Sequence, residues 1–326
     1  MKFGAYLDTY YAYDFSQPNG NSRPYVTQYA RHNEFTINHA WLRGSYSSEK
    51  LRANLALQTG TYPQYNYAAE PLYGQLIYEA FAGYRITEKG WIDAGIFGGH
   101  FGYESALAID RELLSPALAT EYTPYYQTGV RYTQDLSEKT QLRVVIVNGW
   151  QNIRETNNAK SIGMAIDHQF SEQFFFSYGN YYGFEPNESG SDVARFHNNL
   201  VARFTPSDQL AITGIFDWTL QTKSVSVTGE SPNDWATFYT LIGGYQLSDV
   251  WSISGRYEYV TDNNELLING AGNGFGQSII STALDFRPAE NVSFKIEPKF
   301  YAGPSDYLVG TTSAFVMQGG LAFRLE

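Results

Sequence analysis

The feature of this sequence that most constrains its fold is a regular alternation of apolar and polar residues in long segments. In VWSISGRYEYV, residues 250–260, Trp251, Ile253 and Tyr257 fall on one parity, and Arg256 and Glu258 fall on the other. Successive side chains of a β-strand point to opposite faces, so such a segment has one apolar face and one hydrated face. The apolar face must contact either a protein core or lipid.

About sixteen segments of this kind follow one another, each about 10 to 15 residues long, whereas strands of soluble sheets typically have about 5 to 6. Ten residues, at ~3.3 Å each and tilted by about 40°, climb about 25 Å, the height of the apolar band of an outer-membrane barrel. The predicted strands span residues 2–14, 33–47, 51–62, 77–87, 91–102, 125–135, 140–149, 160–170, 174–184, 194–205, 210–222, 235–247, 250–260, 277–287, 291–301 and 312–325.

The second predicted strand is irregular, because its apolar set switches from Phe35 and Ile37 to Ala40 and Leu42. A change of parity within one strand indicates a β-bulge, which we place near His39, or a misplaced strand boundary.

The junctions between the predicted strands fall into two classes that alternate along the chain. Every second junction is a short polar turn, namely SSEK, TEKG, LSEK, SEQ, PSDQ, LSD or PAEN, and the others are longer segments such as EPNESGSDV. This alternation is typical of an up-and-down barrel in an outer membrane, with short periplasmic turns and long extracellular loops. We therefore predict an all-β fold, a transmembrane antiparallel β-barrel of about 16 strands that forms a single domain over residues 1–326.

The composition supports a membrane barrel over a soluble propeller or sandwich, whose strands are shorter. Charged residues make up only 17% of the chain, and its 27 tyrosines suit side chains with an apolar body and a polar tip at bilayer interfaces. The net charge of -11 argues against a nucleic acid as a partner. Residues 2–14 already have a strand pattern, so we interpret the sequence as a mature form without a signal peptide.

Charged residues on the hydrated parity indicate a wet interior, because an unpaired buried ion is costly. A barrel of about sixteen strands leaves an aqueous channel, whereas one of eight strands is filled by side chains. Each wall residue could instead form only a structural ion pair with a neighbouring strand. The predicted lumen-wall residues are Arg52, Arg85, Arg195, Arg203, Arg256, Glu258, Lys295 and Glu297.

The third long loop, at about residues 103–124, differs from the other loops because it contains apolar residues at partly helical spacing. A fully solvated loop has little use for Leu107, Ile109, Leu113, Leu114 and Leu118. One interpretation is that this loop folds inward and narrows the pore; the other is that it packs as a helical cap on the rim of the barrel. In the first, fixed charges of opposite sign would set selectivity. The predicted constriction residues are Glu104, Asp110, Glu112 and Glu121 opposite wall residues such as Arg131 and Arg143.

No motif in the sequence predicts a metal site, a cofactor or catalysis. The chain has no cysteine, and its five histidines include no HxH or HxxxH pair. A hydrolytic site could combine His100 or His168 with Asp93 or Asp167, but nothing in their spacing requires it. We therefore expect no enzyme activity and no cofactor.

Several long strings resemble those of a known family. They are YYAYDF, RHNEFTIN, LRANLALQTGTYPQYNYAAEP, WIDAGIFGGHFGYESA, PYYQTGVRY and VNGWQNI. With them the chain resembles the putative beta-barrel porin-2, OmpL-like family of Gram-negative bacteria, in forms typical of Bacteroidetes. The resemblance implies an outer-membrane porin through which ions and small hydrophilic solutes diffuse, in contact with lipid or detergent.

Two questions about the protein stay open at this point. The alternative to an open channel is a plugged barrel that binds a partner through its acidic extracellular loops. By analogy with general porins, the protein could be a homotrimer or a monomer.

Overall fold

The computed structural model describes residues 1–186, 192–222, 233–262, 264–268, 274–308 and 310–325. Sixteen strands form a closed barrel in which neighbours in the chain pair antiparallel and the first strand closes against the last. The strands are β1 Lys2–Asp14, β2 Phe35–Ser47, β3 Leu51–Thr59, β4 Ile77–Thr87, β5 Gly90–Gly98, β6 Tyr126–Asp135, β7 Thr140–Val147, β8 Ser161–Gln169, β9 Phe174–Pro186, β10 Asp192–Phe204, β11 Leu210–Gln221, β12 Asp234–Gln246, β13 Trp251–Asp262, β14 Phe275–Ala289, β15 Val292–Ala302 and β16 Ser313–Leu325.

The helices of the described chain are short and lie in the long connections. They are α1 Thr61–Asn66, α2 Leu72–Gln75 and α3 Leu118–Glu121, with 3₁₀ turns at Asn19–Asn21 and Ala108–Asp110. Among the described residues, no helix has the length and apolar character needed to cross a membrane. Of the eight long connections, those used below are L1 (15–34), L3 (99–125), L4 (148–160), L7 (263–274) and L8 (303–312).

The alternation seen in the sequence becomes the outer and inner faces of the barrel wall. On β13, Ile253 and Tyr257 are each 45% exposed, whereas Arg256 is 2% exposed and Glu258 is fully buried. The apolar parity therefore faces outward, where it forms the surface that contacts lipid in an outer-membrane barrel. The charged parity faces the interior, which confirms the predicted assignment of faces for this strand.

The predicted strand order is confirmed, but two predicted strands extend three or more residues too far. β3 ends at Thr59, because Gly60, with a φ of 123°, turns the chain into α1. That φ lies in the left-handed region, which favours glycine. β5 ends at Gly98 and not at residue 102, because the chain leaves the wall there and begins L3.

The irregular second strand contains the predicted bulge. Asp8 of β1 pairs with His39, and the next residue of β1 pairs with Ile37, so Asn38 is the extra residue. Its side chain accepts a hydrogen bond from the Tyr29 backbone N–H at 3.0 Å and donates one to Asp8 at 2.9 Å. The bulge thus directs an amide side chain into the interior, where it ties L1 to the wall.

Candidate functional site

L3 leaves the barrel wall and returns to it at almost the same point. The Gly99 N–H donates to the Tyr125 carbonyl oxygen at 3.1 Å, which closes the base of the loop. A Cβ atom on Gly99 would lie 2.1 Å from the carbonyl oxygen of Pro124, so the two ends of L3 can approach only because residue 99 is glycine. The residues between these ends contact the inner wall of the barrel.

Arg256 of β13 lies at the centre of the contact between L3 and the wall. Its guanidinium donates to the Ser115 carbonyl oxygen at 2.7 Å and to the Glu258 carboxylate at 2.8 Å, and it lies 3.3 Å from Glu104. The side chains of Arg256, Glu104 and Glu258 have no solvent exposure. Glu258 also accepts the Leu118 N–H at 2.6 Å. A wall cation and a wall anion therefore both hold L3.

Two further wall residues, on β15, bind the backbone of L3. The Ser115 N–H and hydroxyl donate to the two carboxylate oxygens of Glu297, at 2.6 and 2.7 Å. The Lys295 ammonium donates to the Ala108 carbonyl oxygen at 2.6 Å. Charge-assisted hydrogen bonds of this kind are among the stronger ones in proteins, so they fix the position of the loop.

Apolar packing reinforces these polar contacts. On one side of L3, Leu107, Ile109 and Leu114 pack against Tyr6 and Trp41 of the wall. On another side, L3 packs with Val26 of L1 and Ile268 of L7. The apolar residues that distinguish this loop in the sequence are all buried, namely Leu107, Ile109, Leu113, Leu114 and Leu118.

Asp110 and Glu112 of L3 bind arginines of the wall. Asp110 accepts from Arg324 of β16 at 2.7 Å, and Glu112 accepts from Arg203 of β10 at 2.6 Å. The Tyr103 hydroxyl also donates to Glu112, at 2.8 Å. Burial alone raises the pKa of Glu112, but the hydrogen bonds and charge from Arg203 and Tyr103 outweigh it and hold the pKa below its usual value. Glu112 is therefore ionised at neutral pH.

Glu121, at the end of α3, joins L3 to L1. It accepts the Thr27 N–H at 2.9 Å, the Thr27 hydroxyl at 2.5 Å and the Gln28 N–H at 3.2 Å. Burial raises the pKa of Glu121 and outweighs these hydrogen bonds, which favour the ionised form. This acid fixes one loop to another and has no arginine partner among the described residues.

Arg131 and Arg143 have different partners from those that the sequence suggested. Arg131 donates to Asp93 at 3.1 Å, and Arg143 donates to Asp167 at 2.6 Å, so both bind acids of the wall instead of acids of L3. The register explains the first pairing, because Asp93 of β5 lies directly opposite Arg131 of β6. Arg143 does reach the base of L3, where it donates to the His100 carbonyl oxygen at 3.0 Å.

The remaining predicted wall residues also have partners within the wall. Arg52 shares the Asp93 carboxylate with Arg131. The Arg85 guanidinium lies over the Trp91 ring, 4.8 Å from its centre. Arg195 donates to the side chain of Gln221 at 2.8 Å.

Arg111 is a central structural residue of L3 that the sequence did not reveal. It is 1% exposed and donates to the Ser105 carbonyl oxygen at 2.8 Å, to Gln28 at 3.1 Å and to the Tyr29 hydroxyl at 3.1 Å. It therefore holds L3 in its fold and ties it to L1. In the sequence, Arg111 stands between Asp110 and Glu112, as in an ordinary run of solvated charges. Nothing in the neighbouring residues therefore indicates that its side chain is buried.

Two cavities remain on the side of L3 that faces the short turns. One, of about 510 Å³, is lined by Glu112, Arg203 and the turn residue Ser207. The other, of about 550 Å³, is lined by Tyr103 and Arg131, among others. Since Tyr103, Glu112 and Arg203 bond to one another, this trio lies between the two cavities.

The histidines do not form the hydrolytic arrangement considered above. His100 bonds to Gln127 at 2.7 Å and to the Asn180 carbonyl oxygen at 2.7 Å, and His168 bonds to Thr140 at 2.8 Å. Asp93 and Asp167 bind arginines instead. Within the described ranges, no group of three or more His, Asp or Glu residues could hold a metal ion.

Comparison with solved structures places the fold among outer-membrane channels. The anion-selective porin from Comamonas acidovorans has a TM-score of 0.67 at 9% identity and covers 99% of each chain. The channel DcaP of Acinetobacter baumannii has a TM-score of 0.66 at 11% identity, over 99% of this chain and 96% of that one. OmpF of Salmonella typhi, solved with daunomycin, has a TM-score of 0.64 at 14% identity, over 99% and 97%.

Sequence comparisons identify the family of the chain, whereas the structural similarities above identify only its fold. No curated protein matches the chain. One family model, however, matches residues 1–323 and therefore covers almost the whole sequence. That family and the barrel architecture locate the protein in the bacterial outer membrane. The chain belongs to the putative beta-barrel porin-2, OmpL-like family.

Proposed function

We propose that this barrel is a passive, non-enzymatic channel for ions and small hydrophilic solutes, and that L3 narrows it. The observation that carries the proposal is the position of L3, which is bound to the inner wall by Arg256, Lys295 and Glu297. A sixteen-stranded barrel is wide enough for water without such a loop, so a loop held across the interior sets the remaining width.

Within this proposal, the remaining passage runs past the two cavities beneath L3. Asp110 and Glu112 line the first cavity, and Arg131 and Arg143 line the second. Fixed charges of opposite sign on the two sides would orient a polar solute as it passes the trio. The other two predicted constriction acids have a different role here, since Glu104 and Glu121 hold L3 in place.

Single-channel conductance in planar lipid bilayers tests the proposal. Deleting residues 105–119 removes the part of L3 that crosses the interior but keeps its closed base at Gly99 and Tyr125. We expect the deletion to raise the conductance of each open channel several-fold. A matched deletion within L4, residues 155–159, should leave the conductance unchanged. An unchanged conductance in the L3 deletion would mean that L3 does not limit the passage.

A plugged barrel is the second candidate, and one observation favours it. On the loop side, residues of L1, L3, L7 and L8, including Val26, Leu118, Ile268 and Tyr307, pack in one apolar cluster with the wall. In this reading the acidic extracellular loops bind a partner. The bilayer experiment separates the two candidates, because a plugged barrel gives no stable open level, whereas its L3 deletion would conduct.

We further propose that residues 1–326 act as one barrel domain whose outward apolar face contacts outer-membrane lipid, or detergent after purification. The protein could act as a monomer or as a homotrimer. Light scattering of the purified protein, with the mass of bound detergent subtracted, gives the number of chains in each particle. A single chain with the full channel conductance would exclude the homotrimer as a requirement.

A further inference from the structure

Four residues form a row across the inner wall near the short turns. Arg52 of β3 pairs in register with Gly83 of β4, Gly83 pairs with Asp93 of β5, and Asp93 pairs with Arg131 of β6. A Cβ atom on Gly83 would lie 2.2 Å from an Asp93 carboxylate oxygen and 3.0 Å from Arg52. The glycine therefore lets Arg52 reach across β4 to Asp93.

The two arginines of this row share a single carboxylate. Arg52 donates through Nε and Nη2 to Asp93, both at 2.6 Å, and Arg131 donates through Nε and Nη2 at 3.2 and 3.1 Å. Asp93 is fully buried, whereas the side chains of Arg52 and Arg131 are 28% and 17% exposed. Within this trio, two positive charges share one carboxylate. The charge of Glu79 on β4 also acts on Arg131, and the two guanidinium groups lie over the rings of Trp91 and Phe97, 4.6 and 4.5 Å from their centres. Both Nη1 groups have no hydrogen bond within the part of the chain that the structure describes.

The two arginines line the cavity of about 550 Å³ described above, together with Arg143 and Asp167. Arg143 and Asp167 form a complete pair, with bonds of 2.6 and 2.9 Å, so they add no net charge. His100 also lines this cavity, and burial lowers its pKa to about 4, so it is neutral at pH 7. Arg52 and Arg131 therefore supply the positive charge that faces this cavity.

The cavity on the other side of the Tyr103, Glu112 and Arg203 trio has a different charged lining. It consists of four acids and three arginines, namely Asp110, Glu112, Asp208, Asp285, Arg111, Arg203 and Arg287. Two of these acids also bind cations outside the lining, Asp110 with Arg324 and Asp285 with Lys295. The charged lining of the cavity at Arg52 and Arg131 has three arginines and one acid, so its exposed groups suit an anion better.

We propose that the cavity at Arg52 and Arg131 is a binding site for small organic anions that carry a carboxylate or phosphate group. Guanidinium groups recognise such oxyanions through paired N–H donors, and the two Nη1 groups supply donors that no protein acceptor uses. Phe101, Tyr103 and Phe175 also line the cavity and offer apolar surface to a compact ring or short chain. Binding does not require conduction; only its role in favouring anion passage rests on the proposed channel function.

Isothermal titration calorimetry on the full barrel in a zwitterionic detergent at low ionic strength tests the site. The probes are benzoate, benzylammonium and benzyl alcohol, which have similar size and differ in charge, with inorganic phosphate as a second anion. We expect benzoate and phosphate to bind, and the cation and the neutral alcohol to bind at least about tenfold more weakly. Raising the salt concentration should weaken benzoate binding, since part of the attraction is screened.

Two substitutions change the site in opposite directions. Arg52→Gln leaves Asp93 paired with Arg131, so the barrel should fold, and benzoate should bind about tenfold more weakly because one charged donor is lost. Asp93→Asn keeps the shape of the side chain but removes the shared negative charge, so benzoate should bind several-fold more tightly. Arg287→Gln, which removes one arginine from the other cavity, is the matched control and should leave benzoate affinity unchanged.

Three results would overturn the proposal: equal binding of benzylammonium and benzoate, unchanged affinity in folded Arg52→Gln, or an equal loss in Arg287→Gln. Circular dichroism of each variant establishes that the barrel is folded. Because calorimetry does not depend on ion flow, a barrel that binds benzoate but gives no open channel would refute the channel and keep the site. A conducting barrel that does not bind benzoate would refute the anion site and keep the channel.

Discussion

Arg256→Gln should release L3 from the wall of the barrel. Arg256 is the cation shared by three carboxylates, with distances of 2.8 Å to Glu258, 3.3 Å to Glu104 and 3.6 Å to Glu297. All three acids lie in a region without solvent exposure. After the substitution, the remaining cations are Lys299, 3.8 Å from Glu258, and Arg111, whose charge acts on Glu104. Three buried negative charges would then face one another without the cation that they share.

Removing one partner of a buried ion pair typically costs about 3 to 5 kcal/mol, because the other charge stays buried without compensation. This electrostatic cost disappears if L3 detaches and water reaches the carboxylates. If the whole cost favours the detached state, its population relative to the docked state rises by a factor of about 10² to several times 10³, at about 1.4 kcal/mol for each factor of ten. The backbone pairing of β13 does not involve the guanidinium, so the barrel itself should remain folded.

Limited trypsin digestion measures this release directly. Arg111 lies in the middle of L3 and is 1% exposed, so trypsin can cut after it only when the loop leaves its position. In Arg256→Gln, mass spectrometry should detect the fragment 1–111 at least about a hundredfold sooner than in the original protein, and single channels should show larger or more variable conductance.

The matched control for this experiment is Arg287→Gln. Arg287 also binds a wall acid, Asp285 at 2.6 Å, but it is partly exposed and has no hydrogen bond to L3 in the described residues. Arg287→Gln should release the fragment 1–111 as slowly as the original protein does, with the same single-channel conductance. If Arg256→Gln forms a folded barrel in which Arg111 stays as resistant to trypsin as before, buried charge pairing does not hold L3, and the reasoning is refuted.

Two further substitutions test the barrel wall and the base of L3. Gly83→Val should destabilise the barrel by about 1 to 3 kcal/mol in urea unfolding from micelles, since the new side chain overlaps the Arg52–Asp93 contact; Gly243→Val, where an added Cβ meets nothing within 4 Å, is the control. Burial lowers the pKa of His100 from 6.5 to about 4, so its contribution, up to about 3 kcal/mol, is present above pH 6.5 and lost as the pH falls towards 4. His100→Gln should flatten that part of the stability profile, and an unchanged slope would assign the acid sensitivity to other groups.

The sequence predicted the barrel well because the wall depends on local chemistry. Parity alone assigns Ile253 to the lipid side and Arg256 to the interior, and the polar turns set the order of the strands. Even the irregularity of β2 is readable, since the change of parity around Asn38 has only a bulge or a misplaced boundary as its cause. These features require no knowledge of which strands or loops meet across the interior.

The partners of the interior charges could not be predicted in the same way. Parity states that Arg131 and Asp93 face inward, but only the register of β5 and β6 brings them opposite each other. The contact of Arg52 with the same Asp93 depends in addition on the missing side chain of Gly83. The acids of L3 are harder still, because their partners depend on how a loop of irregular structure folds within the barrel.

The degree to which the interior charges compensate one another indicates where the proposed passage runs. Beneath L3, Arg256 and Glu258 lie in a region without solvent exposure, which is possible because cations, acids and backbone groups of the loop compensate one another there. Arg52 and Arg131 hydrogen-bond to a single carboxylate, that of Asp93, and both arginines retain contact with solvent. Charge that is only partly compensated needs water or a counter-ion, and water is what a permeating solute requires. A path for ions should therefore follow the side of the barrel at Arg52 and Arg131, and anions should concentrate along it.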